Sequence, residues 1–118
     1  ENLVLNNRQL ILGALNLNHS DIAIDNPYAQ RKTNRQAGCR IDYLIQTKYD
    51  SLYVCEIKFS KREIGMSIIE EANEKIRKLK TPRNFSIRPV LIHCSEVNEA
   101  VEDEQYFAKI INSSDLLR

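Results

Sequence analysis

Two neighbouring segments of the chain, 39–45 and 52–59, alternate between apolar and polar residues, as β-strands with one buried face do. The residues between them, 47–50, are polar and have the composition of a turn. The two segments are therefore predicted to form a β-hairpin. With the turn at its centre, the hairpin places Asp42 opposite Glu56, with their Cβ atoms roughly 5 Å apart.

The rest of the pattern predicts further elements on both sides of the hairpin. In chain order these are a helix ending near 16–18, a loop at 19–26, a polar strand at 28–33, a turn at 34–38, a helix at 61–80, a buried strand at 87–93, a helical turn within 96–104 and a last strand at 106–111. The order α-β-β-β-α-β predicts an α/β domain with a mixed central sheet of four to five strands flanked by helices. On the 61–80 helix, Glu71–Lys75 and Glu74–Lys78 are predicted to pair on the exposed side.

Composition narrows the class of protein. A length of 118 residues suits one domain, and a net charge of +1 excludes a polybasic protein that binds nucleic acid through its overall field. Three scattered cysteines argue against a disulfide framework and favour a reducing compartment. No apolar run reaches the ~20 residues of a membrane span, so a cytoplasmic location without membrane contact is expected. Because the chain starts without methionine in a helix-like pattern, it is expected to be a piece of a longer protein.

The candidate chemistry depends on the two acids that are predicted to face each other across the hairpin. Asp42 and Glu56 are hard oxygen ligands suited to Mg²⁺, and the backbone carbonyl of Ile57 would add a third. Lys58 lies two residues beyond Glu56 on the same strand face, where it would hold an attacking water or stabilise developing negative charge. This combination points to phosphodiester hydrolysis by metal-activated water. The alternative is a cross-strand cluster of salt bridges, with Glu56 paired to a basic neighbour.

The acid in Ile41-Asp42, the motif Glu56-Ile57-Lys58 and the element order resemble the PD-(D/E)XK nuclease superfamily, which includes restriction endonucleases and Holliday-junction resolvases. Ile41 replaces the proline for which the superfamily is named. The resemblance implies a restriction-endonuclease-like αβββαβ core. It also implies a Mg²⁺-dependent DNA endonuclease, with Mn²⁺ as a substitute, DNA as partner and a homodimer where both strands are cut. Glu1 sits where many branches carry a supporting metal ligand on the first helix.

A narrower group of proteins is similar in three segments, 26–28, 38–42 and 54–59. This group is the nuclease-like domain at the C-terminus of certain prokaryotic P-loop ATPases. This similarity implies that residues 1–118 form a single nuclease-like domain with an ATPase module upstream. The alternative function is a non-catalytic accessory module of such an ATPase that binds DNA or a protein. A plain interaction domain without nucleic acid is a third possibility, and it predicts no metal affinity.

Basic residues near the entrance to the 39–45 strand are candidates for DNA contact. They are Arg31, Lys32, Arg35, Arg40, Lys61 and Arg62. The alternative is a basic loop on a surface of balanced charge. Tyr28 and Tyr43 would stack on a base or pack against neighbouring side chains. Zinc is not expected, because Cys39, Cys55, His93 and Cys94 lack ligand spacing.

Overall fold

The computed structural model describes residues 7–116 of the chain. The helices are α1 (Arg8–Ala14), α2 (Ser67–Lys78), α3 (Glu99–Asp103) and α4 (Ser113–Leu116), and the strands are β1 (Ile22–Gln30), β2 (Cys39–Thr47), β3 (Ser51–Lys58), β4 (Ser86–His93) and β5 (Lys109–Asn112). A 3₁₀ turn at His19–Asp21 precedes β1. The predicted element order and the α/β class are confirmed.

The five strands form one mixed sheet in the order β1-β2-β3-β4-β5. The first three strands are antiparallel to one another, and β3, β4 and β5 run parallel. The crossover from β3 to β4 contains α2, as parallel neighbours require a long connection. The carboxyl ends of β3, β4 and β5 therefore share one end of the sheet with the start of β2.

Each face of the sheet is covered by a helix. Side chains on one face, including Cys55 and Ile92, pack around Ile11 and Leu12 of α1. Their neighbours along the same strands point to the opposite face, because successive strand residues alternate. There, Val54 and Leu91 join two clusters built on α2, whose members include Ile68, Ala72 and Leu79. The core thus consists of two layers, one on each side of the sheet.

The predicted hairpin is confirmed together with its register. Tyr43 pairs with Cys55, and the pairing continues to Gln46 with Leu52. This is the register that places Asp42 opposite Glu56 at the next position. The connection 48–50 includes Asp50 at a φ of 60°, a left-handed conformation that aspartate tolerates in turns.

The first strand and the second helix differ most from their predicted bounds. The first strand begins at Ile22 rather than 28 and ends at Gln30. It is an edge strand whose side chains are mostly exposed, and its register with β2 is irregular on both sides of residues 24–26. Its sequence therefore lacks the alternation of apolar and polar residues that marks a half-buried strand. The second helix begins at Ser67 rather than 61. The backbone of Ile64 instead bonds to Glu96 and Asn98, which holds this segment extended.

A buried polar cluster joins α1 to the β1–β2 pair. Tyr43 is fully buried, so it packs in the core and is not available to stack on a base. Its hydroxyl donates a hydrogen bond to Asp25, and Nη2 of Arg8 donates to Asp25 Oδ1 at 2.7 Å. Burial, followed by the hydrogen bond to Asp25, raises the pKa of Tyr43. The cluster satisfies a carboxylate that is itself almost inaccessible.

Tyr43→Phe is expected to lower the free energy of unfolding by about 1–2 kcal/mol, because Asp25 loses a buried donor. Urea denaturation followed by circular dichroism measures the difference. Tyr49→Phe is the matched control, since Tyr49 is 72% exposed and should change stability little. Equal stability of Tyr43→Phe and wild type would mean that the hydroxyl contributes nothing to the fold.

Candidate functional site at the open end of the β2–β3 hairpin

The carboxylate of Asp42 lies where the ladder between β2 and β3 ends. Beyond the pair Tyr43–Cys55, Asp42 Oδ2 accepts a hydrogen bond from the backbone N–H of Ile57 at 2.9 Å. The side chain therefore occupies a position that a backbone carbonyl would take in a regular ladder. This contact orients Asp42 beside Glu56, and the structure brings the two predicted acids together.

Glu56 is buried on the face that α2 covers, with only 5% of its surface exposed. Both of its carboxylate oxygens accept hydrogen bonds from Nζ of Lys75 in α2, at 2.8 and 3.1 Å. A charged group in such a place is stable only when it is paired. The ammonium of Lys75 is that partner.

The charges of the site influence one another. Burial raises the pKa of Glu56, the ammonium of Lys75 opposes this shift, and the carboxylate of Asp42 adds to it. Burial lowers the pKa of Lys75, but Glu56, Asp42 and Glu71 outweigh burial, so its pKa is raised overall. Lys75 is therefore charged at neutral pH. Its positive charge holds two acids together that would otherwise repel each other.

Lys58 extends from the last position of β3 toward the amino-terminal half of α2. Its Nζ donates to Glu71 Oε2 at 3.1 Å, and both side chains are more than 40% exposed. An exposed pair of this kind is weak and easily exchanged. A cavity of about 110 Å³ lies against Lys58 and Glu71, and a second of the same size lies between β1 and β2 against Asp42.

The six basic residues predicted to contact DNA are all exposed and border the same end of the sheet. Arg31, Lys32 and Arg35 lie in the β1–β2 connection, Arg40 is near the start of β2, and Lys61 and Arg62 follow the end of β3. The connection is held in place by Gln30, whose amide nitrogen donates to the carbonyls of Ala37 and Lys78 at 2.7 Å each. Because β2 begins where β3 ends, these groups flank the acidic pair from two sides.

Some predicted residues are not part of this arrangement. Glu1 lies outside the described residues. Within residues 7–116, no three His, Cys, Asp or Glu side chains lie together as a metal-ligand set, and this includes Cys39, Cys55, His93 and Cys94. A larger cavity of about 710 Å³ lies beyond the carboxyl ends of β4 and β5, lined by acidic loop residues and His93, whose Nδ1 lies 2.6 Å from the carbonyl oxygen of Ser95. It contains neither Asp42 nor Glu56.

The sequence did not predict the two α2 partners of the site. The expected exposed pair Glu71–Lys75 is wrong, because each residue bonds to β3 instead: Glu71 to Lys58 and Lys75 to Glu56. The expected Glu74–Lys78 pair is present at 3.8 Å. The sequence does contain a signal that Lys75 faces the sheet. Position 75 continues the helical spacing of the buried residues at 68, 72 and 79, so it interrupts an apolar stripe with a charge.

One solved structure with a similar fold is the crystal structure of a repair endonuclease from Pyrococcus abyssi. The superposition has a TM-score of 0.59 and covers 94% of this chain and 43% of that chain, at 17% sequence identity. No protein-family model matches the sequence, and no curated protein matches it. At this identity the similarity establishes the fold, which is restriction-endonuclease-like, and the chain spans less than half of that endonuclease.

None of the helices in the described part of the chain has both the length and the apolar content that crossing a bilayer demands.

Proposed function

We propose that this domain is a Mg²⁺-dependent DNA endonuclease, for which Mn²⁺ can substitute, and that Asp42, Glu56 and Lys58 form its active site. The observation that carries the proposal is the position of Asp42 and Glu56 side by side at the end of the β2–β3 hairpin. Although Glu56 is buried, both of its oxygens accept hydrogen bonds from the ammonium of Lys75. A carboxylate that serves only the fold has no need of a second acid beside it.

The donor set fits a magnesium ion. Mg²⁺ prefers oxygen ligands and usually binds proteins through one or two carboxylates while keeping several waters. Asp42 and Glu56 supply those carboxylates, and the backbone carbonyl of Ile57 would complete the protein ligands, with Glu1 as a further candidate. Bound there, the ion would neutralise charge on the scissile phosphate and make a coordinated water more acidic.

The chain's own residues have distinct tasks in this proposal. The N–H of Ile57 fixes the orientation of Asp42. Lys58, whose partner Glu71 is exposed and readily exchanged, would turn toward the substrate and hold the attacking water or donate to a phosphate oxygen as its negative charge grows. Arg31, Lys32, Arg35, Arg40, Lys61 and Arg62 would bind phosphates on either side of the cleavage point.

Incubation of supercoiled plasmid and branched synthetic DNA with the purified domain in Mg²⁺ or Mn²⁺ tests the proposal. We expect nicked or cut products that disappear in Asp42→Asn. An RNA of the same sequence, run in parallel, tests the choice of DNA. Products that persist in Asp42→Asn would assign them to a contaminant or to another site.

The basic connection gives a prediction of its own. Neutralising Arg31, Lys32 and Arg35 to glutamine should weaken DNA binding. It should also reduce the salt dependence of the binding constant by about 0.9 in log–log slope for each phosphate that the variant no longer neutralises. Fluorescence anisotropy at several salt concentrations measures both quantities.

The matched control for the triple variant neutralises three exposed residues away from the β1–β2 connection: Lys48 in the β2–β3 turn, Arg83 before β4 and Lys109 in the other edge strand, β5. This control variant makes the same change in net charge and should leave the salt dependence of the DNA-binding constant unchanged. Equal effects of the two triple variants would mean that DNA responds only to the overall charge.

A second function is favoured by the ion pairs themselves. Glu56 and Lys58 are both paired with α2 residues, as expected of a site that serves stability. In that case the domain is a non-catalytic accessory module that binds DNA or a protein. The upstream P-loop ATPase module and the homodimer remain predictions under either function.

A further inference from the structure

The ammonium of Lys75 lies where a metal ion bound by both Asp42 and Glu56 would have to lie. Its Nζ contacts both oxygens of Glu56, at 2.8 and 3.1 Å, and it also interacts electrostatically with Asp42. These contacts use the lone pairs of Glu56 that a divalent cation would need. The site therefore already contains one positive charge in the metal-free protein.

The helix explains why this ammonium is placed so closely. Lys75 stands at a core-facing position of α2, between the buried Ala72 and the buried Leu79. Its aliphatic stem runs along the helix surface while its charged end reaches the sheet. Yet 30% of the side chain is exposed, so the ammonium has a route away from Glu56 that requires no helix movement. Glu71, one turn earlier in α2, also raises the pKa of Lys75.

We infer that Lys75 and a divalent cation are mutually exclusive partners of Glu56, so that Lys75 acts as a built-in competitor that sets the metal affinity of the site. This inference rests on the proposed metal site. Lys75 neutralises the two acids in the metal-free protein and must leave Glu56 before the ion binds. Its role is that of a positioning residue, because it acts on the ligand Glu56 and not on the reacting atoms.

Removing the competitor should tighten metal binding. Lys75→Met keeps the length and packing of the stem and deletes the charge, so the dissociation constant for Mn²⁺ should fall on the order of tenfold, as is typical when two ligands are coupled. Without metal, the same variant should be less stable, since Asp42 and Glu56 then repel each other uncompensated. Mn²⁺ should therefore raise its melting temperature by more than it raises that of wild type.

The experiment is a calorimetric titration of Mn²⁺, without DNA, into wild type, Lys75→Met, Lys75→Arg and Lys78→Met. Lys78→Met is the matched control, because Lys78 lies one turn onward and pairs with Glu74. We expect tighter binding in Lys75→Met alone, with Lys75→Arg close to wild type because the charge is retained. Thermal melts with and without Mn²⁺ on the same proteins give a second readout that does not require cleavage.

The outcomes separate the two proposals. Equal or weaker binding by Lys75→Met, with wild type binding normally, would overturn the competition and leave the metal site intact. Tightening in both methionine variants would also overturn it, because the effect would then come from general charge. If none of the four proteins binds Mn²⁺, the metal site itself is absent and both proposals fail.

Discussion

Alanine at position 58 is expected to abolish DNA cleavage while leaving metal binding nearly unchanged. Lys58 contributes no ligand atom, and its ammonium donates a hydrogen bond to the exposed Glu71. Loss of a group that stabilises developing charge in a transition state typically costs about 10²–10³-fold in rate. Single-turnover cleavage assays and a parallel Mn²⁺ titration measure the two effects separately.

Lys78→Ala is the control for that experiment, because it removes an exposed lysine from α2 without touching the site. It should cleave DNA at the wild-type rate. Cleavage that survives in Lys58→Ala would exclude this lysine from the chemistry. Loss of metal binding in Lys58→Ala would mean that the residue organises the site rather than reacts in it.

The second large effect is expected at Glu56. Glu56→Gln should lose cleavage, because a neutral amide is a poor ligand for Mg²⁺. It should also destabilise the fold by about 1–3 kcal/mol, since the charge of Lys75 is left without its partner. This cost is smaller than is usual for a buried pair because the Lys75 side chain is 30% exposed to solvent.

A double variant distinguishes the two roles of Glu56. Adding Lys75→Met to Glu56→Gln removes the unpaired charge, so the free energy of unfolding should return toward the wild-type value. Cleavage should not return. Recovery of cleavage together with stability would contradict a catalytic role, because it would show that Glu56 matters only for the fold. Urea denaturation and the cleavage assay, run on wild type, the two single variants and the double variant, give the comparison.

The hairpin could be predicted from the sequence because its signals are local. Alternation on both strands and a short polar turn fix which residues face each other. The register therefore places Asp42 beside Glu56 without reference to any tertiary contact. The buried strand β4 was equally clear, since a short apolar run between polar segments has few alternatives.

The partners supplied by α2 depend on tertiary contacts, and the sequence indicates them only weakly. Glu71 and Lys75 have the spacing of a helical surface pair, and that local rule favoured pairing them with each other. The packing of α2 across the sheet instead turns both toward β3, where Glu56 offers a stronger partner than an exposed acid. Local spacing cannot reveal this preference, although the interrupted apolar stripe at position 75 hints at it.

The edge strand was the least predictable element. The side chains of β1 are mostly exposed, and Pro27 lies at the second of the two irregularities of its register. Edge strands tolerate proline and need no buried face, so their sequences resemble loops. The cluster of Arg8, Asp25 and Tyr43 was missed for the same reason, since Asp25 belongs to a segment that was predicted as a loop.

Whether Asp42 and Glu56 bind a divalent cation is tested most directly by calorimetric titration of Mn²⁺ and Mg²⁺ into wild type, Asp42→Asn and Glu56→Gln. Asp103→Asn serves as the control, because Asp103 is an exposed acid at the end of α3. Circular dichroism establishes that each protein is folded. We predict that wild type and the control bind both ions, and that the two site variants lose the binding. Equal titration curves for all four folded proteins would contradict the metal site and leave the accessory module as the better description of this domain.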